Sequence, residues 1–376
     1  MTTVTCVEDM RQLYRRRVPR MFYDYAESGS YTESTFRRNE TDFQSIQIRQ
    51  RVGIDISDID TSTRMAGAAA AIPAGFAPVG MLGIQNAGGE IKVARAARDF
   101  GVPFTLSTMS ICSMEQVAEA TGAPFWFQLY VVKDREFVRD LIQRAKAAKC
   151  SALVVTMDLS MLGQRHKDIK NQLSIRPNLR NLLNIATKPG WAYEMARTPY
   201  RSFGNVIGHA KGVDDLSSLL VWAAEMVDPA LDWKDIEWIR KEWGGPIILK
   251  GIMDVEDARI AAELDIRTIV VSNHGGRQLD GAGSSIRWLP RIADAVGERV
   301  ELMLDSGVRS GMDIFRARAL GASGVLLGRA MVYALGAQGQ AGVTTLLNIL
   351  QKELRTTMGL AGKVNTQSIG RDDVIL

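Results

Sequence analysis

The stretch Thr268-Ile269-Val270-Val271-Ser272-Asn273-His274-Gly275-Gly276-Arg277-Gln278-Leu279-Asp280-Gly281 joins two kinds of sequence. Its first four residues are apolar and mostly β-branched, the composition of a short buried strand. The residues after them place a histidine, two adjacent glycines and an arginine in the turn that ends that strand. Paired glycines let backbone approach a bound ring or phosphate closely. A histidine there can take a proton, and an arginine can hold a carboxylate in its planar fork. The alternative is a tight turn closing a core strand, with His274 only capping backbone groups.

Outward from this turn the same alternation repeats. Apolar runs with strand composition fall at 75–78, 104–106, 125–130, 152–156, 247–249, 268–271, 301–304 and 324–327. Amphipathic stretches with helical spacing follow them at 90–100, 114–121, 134–148, 255–264, 285–296 and 311–319. Eight βα units predict a closed (β/α)8 TIM barrel rather than an open doubly wound sheet. No GxGxxG follows the first strand, which disfavours a Rossmann dinucleotide site. The expected organisation is one domain over 1–376. It has an N-terminal helical segment at 1–70, a barrel at 71–335 with an insertion at 170–230, and a C-terminal helix and tail at 336–376. In the N-terminal segment, helical spacing runs from Val7 to Arg17, and a second short helix opens at Pro19. The connection after the fourth strand is far longer than the others. It carries Arg176, Arg180, Lys188, Trp191, Tyr193, Arg197, Tyr200, Arg201 and Phe203 before helical spacing returns at 216–226 and 233–242. Long insertions in compact domains are usually lids or disordered segments.

Composition narrows the classes. The 376 residues are 46% hydrophobic and 23% charged, with a net charge of +4. That is ordinary for a globular enzyme. The mild basic excess is spread along the chain and does not argue for nucleic acid. The cysteines Cys6, Cys112 and Cys150 form no CxxC pair, which fits a reducing cytoplasm and no cysteine-based zinc site. With only His166, His209 and His274, no metal centre is expected. The N-terminus lacks the apolar core of a signal peptide, and no apolar run is long enough to span a bilayer. Contact with a membrane surface stays open.

In a TIM barrel, chemistry lies at the carboxyl ends of the strands. Here the first strand runs into Pro78-Val79-Gly80 and the second ends in Ser107-Thr108. The third carries Gln128 and Tyr130, two apart and therefore on one face. The fourth ends in Thr156 and Asp158, the fifth in Lys250, the sixth in Ser272 and His274. The seventh ends in Asp305-Ser306-Gly307-Val308-Arg309 and the eighth in Gly328-Arg329. Strand bodies are apolar while their ends are polar or ionisable, which a purely structural barrel does not require. Gly307 and Gly328 free backbone N–H groups to face an anion, and Arg309 and Arg329 add charge. The loops after strands seven and eight are the usual barrel phosphate site.

At these residues the chain resembles the FMN-dependent α-hydroxy-acid dehydrogenase/oxidase family, from about Tyr23 to the C-terminal region. The stretches Thr105-Leu106-Ser107-Thr108-Met109-Ser110-Ile111-Cys112, Trp126-Phe127-Gln128-Leu129-Tyr130 and Trp233-Lys234-Asp235-Ile236-Glu237-Trp238-Ile239 look most like the bacterial respiratory L-lactate dehydrogenase branch. The resemblance implies FMN as cofactor and a role for each residue. His274 would be the catalytic base, with Asp158 holding its ring. Arg277 and Arg165 would bind the substrate carboxylate with Tyr25, and Tyr130 would contact the reacting hydroxyl. Lys250 would stabilise the reduced, anionic flavin; Ser107, Gln128 and Thr156 would hydrogen-bond its ring; Asp305 would contact the ribityl chain. Gly307, Arg309, Gly328 and Arg329 would cradle the phosphate. Pro78, Val79, Gly80 and Ser272 are counted with the cofactor-binding residues.

The roles make chemical sense. Oxidising a 2-hydroxy acid removes two electrons and two protons, so a base is needed, and an adjacent carboxylate favours the imidazolium that results. The substrate anion suits planar bidentate clamps. Departures from the family pattern lie at Asp158-Leu159-Ser160-Met161-Leu162-Gly163-Gln164-Arg165, where relatives often follow the aspartate with Thr-Pro-Arg, and at Gly80 and Met109. Glycolate oxidase has alanine and tryptophan at the last two positions. The expectation is that Gly80 enlarges the space near the flavin and that Met109 is deformable, admitting more than a two-carbon acid. The expected activity is oxidation of L-lactate to pyruvate with electrons passed to quinone or another respiratory acceptor. The alternatives are an oxidase that reduces O2, a dehydrogenase for a larger acid such as mandelate, and a catalytically inactive flavin-binding protein. A homo-oligomer, cytoplasmic or peripheral on the inner face of the cell membrane through the long connection, completes the expectation.

Overall fold

The computed structural model describes residues 3–171, 178–215, 218–219, 222 and 225–376. Its centre is one parallel sheet of strands β1 (Ala74–Phe76), β2 (Thr105–Ser107), β3 (Trp126–Leu129), β4 (Ala152–Thr156), β5 (Ile247–Ile252), β6 (Thr268–Val271), β7 (Glu301–Asp305) and β8 (Gly324–Leu327). From β2 to β8 each strand pairs with the next in chain order, and β8 returns to pair with β1. A parallel bridge between Phe76 and Phe104 closes the ring from β1 to the start of β2. The protein is a (β/α)8 barrel.

The alternation of side chains along each strand builds two apolar layers. Trp126, Ala152, Val154, Ile248, Val270, Met303 and Leu326 meet inside the barrel. Their sequence neighbours, among them Phe127, Leu153, Val155, Leu249, Ile269 and Leu304, face outward to the helices. Met65, in the hairpin of Thr63–Met65 and Ala68–Ala70, joins the inner cluster and plugs the amino end of the barrel. Two residues beyond the inner apolar layer, the same parity brings Gln128, Thr156, Lys250, Ser272 and Asp305 to the carboxyl end of the interior. The strands thus carry a dry core and a polar floor on one face.

Three helices precede the barrel: α1 (Val7–Arg17), α2 (Arg20–Ala26) and α3 (Ser34–Gln44). The outer ring holds α4 (Gly89–Phe100), α5 (Met114–Thr121) and α6 (Arg135–Ala147). After the long connection come α10 (Trp233–Trp243), α11 (Val255–Glu263), α12 (Ser285–Val296) and α13 (Gly311–Ala319). Capping boxes start α5 at Ser113 with Gln116 and α13 at Ser310 with Asp313, satisfying N–H groups that a helix start leaves unpaired. The last helix, α14 (Arg329–Leu360), is interrupted at Gln338-Gly339, which leave helical geometry. Tyr14 of α1 packs on Tyr333 of α14, ring centroids 5.8 Å apart.

The described residues of the connection after β4 form helices and tertiary contacts that its composition does not suggest. It contains α7 (His166–Asn171), α8 (Leu179–Ala186) and α9 (Pro189–Arg197). Trp191 stacks on Phe22 at 5.4 Å and donates through Nε1 to the Ile84 carbonyl. Asn205 is fully buried, accepts from the Met114 N–H and donates to Ser110 Oγ. Trp191 and Asn205 thus anchor the connection, while Tyr193 is exposed. Arg176 lies outside the described residues, as do 216–217, 220–221 and 223–224 of the expected helix at 216–226.

Candidate active site

At the carboxyl end of the barrel the turn after β6 is wound through left-handed backbone. His274 has φ +56°, followed by Gly275 at +67° and Gly276 at +72°. A non-glycine residue in that region costs roughly 1–2 kcal/mol. The surroundings offset it: the His274 N–H donates to Ser272 Oγ and the Gly275 N–H to Ser306 Oγ. The result aims the imidazole at the pocket. Its Nδ1 lies 2.8 Å from Asp158 Oδ1, so the other ring nitrogen is turned to a substrate. Burial alone would raise the Asp158 carboxyl, but the charges of His274 and Lys250 and the hydrogen bond from His274 outweigh it and leave it lowered. The second carboxylate oxygen, Oδ2, is buried with no hydrogen-bond partner among the described residues.

Beside this pair stand two arginines. Arg277 Nη1 donates to the carbonyls of Tyr25 and Ser28, and its guanidinium lies 4.9 Å from the Tyr25 ring centre. Burial, then the charge of Arg165, pushes Arg277 down to about 10. Arg165 is held by Asp168 at 2.6 Å. Arg165 and Arg277 both face the cavity and only Arg165 has a carboxylate in an ion pair, so together they form a site for an anion. Tyr130 also lines the pocket; burial, then Tyr25 and Asp158, raises its hydroxyl, which stays a protonated donor at neutral pH.

The floor is a connected polar layer. Ser107 donates to Gln128, which donates to Thr156. Lys250 donates to Ser272 and pairs with Asp305 at 2.9 Å, and Ser272 donates to Asp305. Burial lowers Lys250, but Asp305 and Asp158 outweigh it and raise the ammonium above its ordinary value. At the far end, Arg309 is held by Glu40 at 2.7 Å and Arg329 lies over the Phe36 ring at 4.4 Å. Gly307, at φ +93°, lies so close to the Asn39 carbonyl that a Cβ would stand 1.8 Å from its oxygen. A Cβ at Gly328 would meet only Ala77, at 3.9 Å, so this backbone borders open space.

A single cavity of about 220 Å³ brings together Tyr25, Pro78, Val79, Gly80, Tyr130, Arg165, Lys250, His274, Arg277, Asp305, Gly307, Arg309, Gly328 and Arg329. Asp158, Ser107, Gln128, Thr156 and Ser272 stand behind or beneath this wall. Gly80 lines the cavity, and a Cβ there would press on Met109, 3.2 Å from its carbonyl oxygen and 3.3 Å from its Cβ, so glycine there also lets two rim loops approach. Sequence reasoning missed Phe36, Asn39, Glu40 and Ser306, which support the cradle, and Leu159, Leu162 and Met226, which line the cavity. Ser306 carried a signal, standing between Asp305 and Gly307, and Leu159 and Leu162 stand between Asp158 and Arg165; Phe36, Asn39, Glu40 and Met226 meet the site from distant parts of the chain.

Comparison with known proteins follows this geometry. The profile of the family described as FMN-dependent dehydrogenase matches residues 14–376. This chain belongs to that family. The L-lactate dehydrogenase of Caulobacter vibrioides is 48% identical over 373 residues, covering 97% of this chain and 96% of the relative. That of Actinobacillus pleuropneumoniae is 46% identical over 377 residues, covering 99% and 98%. Among solved structures, monotopic membrane (S)-mandelate dehydrogenase superposes with a TM-score of 0.95 at 31% identity, covering 100% of both chains. Mandelate oxidase superposes at 0.85 with 36% identity, covering 99% and 98%. The enzyme is therefore an FMN-dependent oxidoreductase, and the residues present fit FMN. The cradle is cationic and lined with open glycine backbone at one end, and the polar floor offers donors and a buried ammonium along the rest.

Proposed function

We propose that this FMN-dependent dehydrogenase oxidises L-2-hydroxy acids, L-lactate first among them, and passes the electrons to a respiratory quinone or similar acceptor. The observation that carries the reading is the His274–Asp158 pair facing the same cavity as Arg277, Arg165 and Tyr130. The two arginines bind the carboxylate, and Tyr25 helps fix it. That clamp presents the hydroxyl-bearing carbon to His274 and Tyr130. His274 takes a proton from substrate at the ring nitrogen not bound to Asp158, and Asp158 stabilises the imidazolium that forms. FMN, when bound, supplies the two-electron acceptor. Gly307, Arg309, Gly328 and Arg329 would hold its phosphate, and Lys250 would stand at its ring with a charge that favours an anionic reduced form. One carboxylate clamp and one base admit one hand of substrate. Met109, Leu159, Leu162 and Met226 give the cavity an apolar side that suits aliphatic or larger substituents.

Anaerobic mixing of the purified yellow protein with a panel of L- and D-2-hydroxy acids tests the reading. L-lactate should bleach the flavin absorbance and D-lactate should not; faster bleaching by D-lactate would overturn it. Peroxide yield in air separates a dehydrogenase from an oxidase.

The mode of acceptor access rests on a second observation. Leu179, Leu182 and Leu183, spaced as one face of α8, are 73%, 50% and 63% exposed, with Arg180 and Lys188 close by in the chain. Among the described residues no helix is long and apolar enough to cross a membrane. The solved (S)-mandelate dehydrogenase is monotopic. An exposed leucine face flanked by cations suits the interface of an anionic bilayer. In this reading the enzyme is a peripheral homo-oligomer on the inner face of the cell membrane, and sedimentation with anionic liposomes together with light scattering checks both parts.

A further inference from the structure

One short segment at the end of α2 holds cations from both ends of the cavity. The carbonyls of Tyr25 and Ser28 accept from Arg277 Nη1 at 2.6 and 3.1 Å. Those of Ala26 and Ser28 accept from Arg329, through Nε at 3.0 Å and Nη2 at 2.9 Å. Arg277 belongs to the substrate end and Arg329 to the phosphate end, so the two share an acceptor at Ser28. In the middle lies Glu27, 8% exposed and outside the cavity wall. One of its carboxylate oxygens accepts from Arg11 Nε of α1 at 2.8 Å, and the other accepts from the Tyr333 hydroxyl of α14. Tyr333 in turn lies under Arg309, 5.6 Å from ring centre to guanidinium carbon. The negative charge of Glu27 favours the charged forms of Arg11, Arg309 and Arg329.

We propose that Glu27 is a positioning residue that sets the FMN phosphate site and the substrate carboxylate site together, by clamping the 25–28 segment between α1 and α14. Carbonyls orient a guanidinium only if they are themselves fixed, and the 25–28 backbone is a helix end that would otherwise fray. Glu27 ties it on both sides with hydrogen bonds to a cation and to a buried hydroxyl, and its charge offsets repulsion among the clustered arginines. Losing a hydrogen bond to a charged group in a buried place costs enough to change an affinity by about tenfold or more. Because one clamp holds both arginines, both affinities should move. This inference rests on the assignment of Arg277 and Arg329 made under the proposed function.

The test measures two binding constants on the full-length protein. FMN affinity is read by fluorescence quenching when flavin is added to the FMN-stripped protein. Carboxylate affinity is read by the absorbance change of the FMN-loaded protein with oxalate, which has no α-hydrogen to lose. Glu27→Gln should weaken both by about tenfold, raise the KM for L-lactate and leave kcat within about twofold. Tyr333→Phe removes only the hydroxyl from the packed ring and should move both constants in the same direction, so the inference does not depend on one variant folding. Glu40→Gln, which loses only the Arg309 contact, should weaken FMN and spare oxalate. If Glu27→Gln moves one affinity alone or neither, or if Glu40→Gln moves both alike, the shared clamp is wrong. If the unaltered protein binds FMN but not oxalate, the assignment of Arg277 itself fails.

Discussion

At Gly251 the backbone takes φ +102°, and a Cβ there would stand 2.7 Å from Asp158 Cγ and 2.8 Å from its Cβ. The glycine also sits where the pairing of β5 with β6 slips register between Lys250 and Ile252. Gly251→Ala should therefore displace Asp158 while leaving FMN bound. We expect flavin reduction to slow by roughly 10²-fold, the size of effect a small misplacement of a catalytic group produces. His274→Asn should retain FMN and slow reduction by roughly 10²–10⁴-fold, read by anaerobic stopped flow; near-normal rates would mean another base. Arg277→Lys should raise KM as well as slow the reaction, since an ammonium cannot form the bidentate fork. The Lys250–Asp305 pair predicts a pH dependence of stability. Burial raises the Asp305 carboxyl, but the Lys250 charge and the bonds from Lys250 and Ser272 leave it below its ordinary value. Its stabilisation is therefore present above the ordinary carboxylate range and lost as pH falls through the lowered folded value. Lys250, raised, contributes below its unfolded value and loses this as pH rises through the folded one. Thermal melts should show the pair's contribution flat from about pH 5 to pH 10. Asp305→Asn should cost about 3–5 kcal/mol near neutrality, because a buried ammonium is left unpaired, and should flatten the acid limb. At this scale the sequence was legible where chemistry-bearing residues crowd a strand end, as at His274, Arg277 and Lys250. It was not legible for Gly251, Glu27, Phe36 or Asn39, whose importance lies in what a distant part of the chain brings against them.

At the scale of elements, periodicity served well where an apolar run was bounded by turn residues on both sides. The ranges 152–156, 268–271 and 324–327 agree with β4, β6 and β8 residue for residue. The first strand was placed too late, at 75–78, because Pro78 continues the small apolar run but cannot donate to a ladder, and pairing ends at Phe76. The fifth was ended too early at 249, since Lys250-Gly251 reads as a turn yet pairing continues through the irregularity to Ile252. The insertion after β4 was the least legible element. Its anchors, Trp191 on Phe22 and Asn205 under α5, are tertiary contacts that composition does not reveal. What remains outward on α8 is the leucine face. Changing Leu179, Leu182 and Leu183 together to serine should abolish sedimentation with anionic liposomes and lower quinone reduction, while reduction of a soluble dye by L-lactate stays near normal. Equal losses with both acceptors would make α8 a cover for the cavity instead.

Across the whole molecule, the cofactor cradle is assembled from parts that lie far apart in sequence. The turns after β6, β7 and β8 supply its backbone, while the N-terminal segment supplies its supports. The Asn39 carbonyl lies against Gly307, Glu40 holds Arg309, Phe36 lies under Arg329, and Asn39 and Asn273 exchange side-chain hydrogen bonds at 2.9 and 2.7 Å. FMN binding should therefore order the N-terminal segment as well as the barrel rim. A ligand at a hundred times its dissociation constant stabilises the folded state by about 2.7 kcal/mol. Spread over the unfolding entropy of a chain this long, that amounts to a melting shift of roughly 3 °C. The local response should be larger than the global one. Hydrogen exchange at 25–44 should slow on FMN addition far more than at the 63–70 hairpin, which plugs the opposite end of the barrel and touches nothing in the cradle. Equal slowing at both ends would mean that FMN stabilises the barrel as a block and that the N-terminal helices merely rest on it. Slowing confined to the β7 and β8 turns would mean that the arginines bind the phosphate without help from α3.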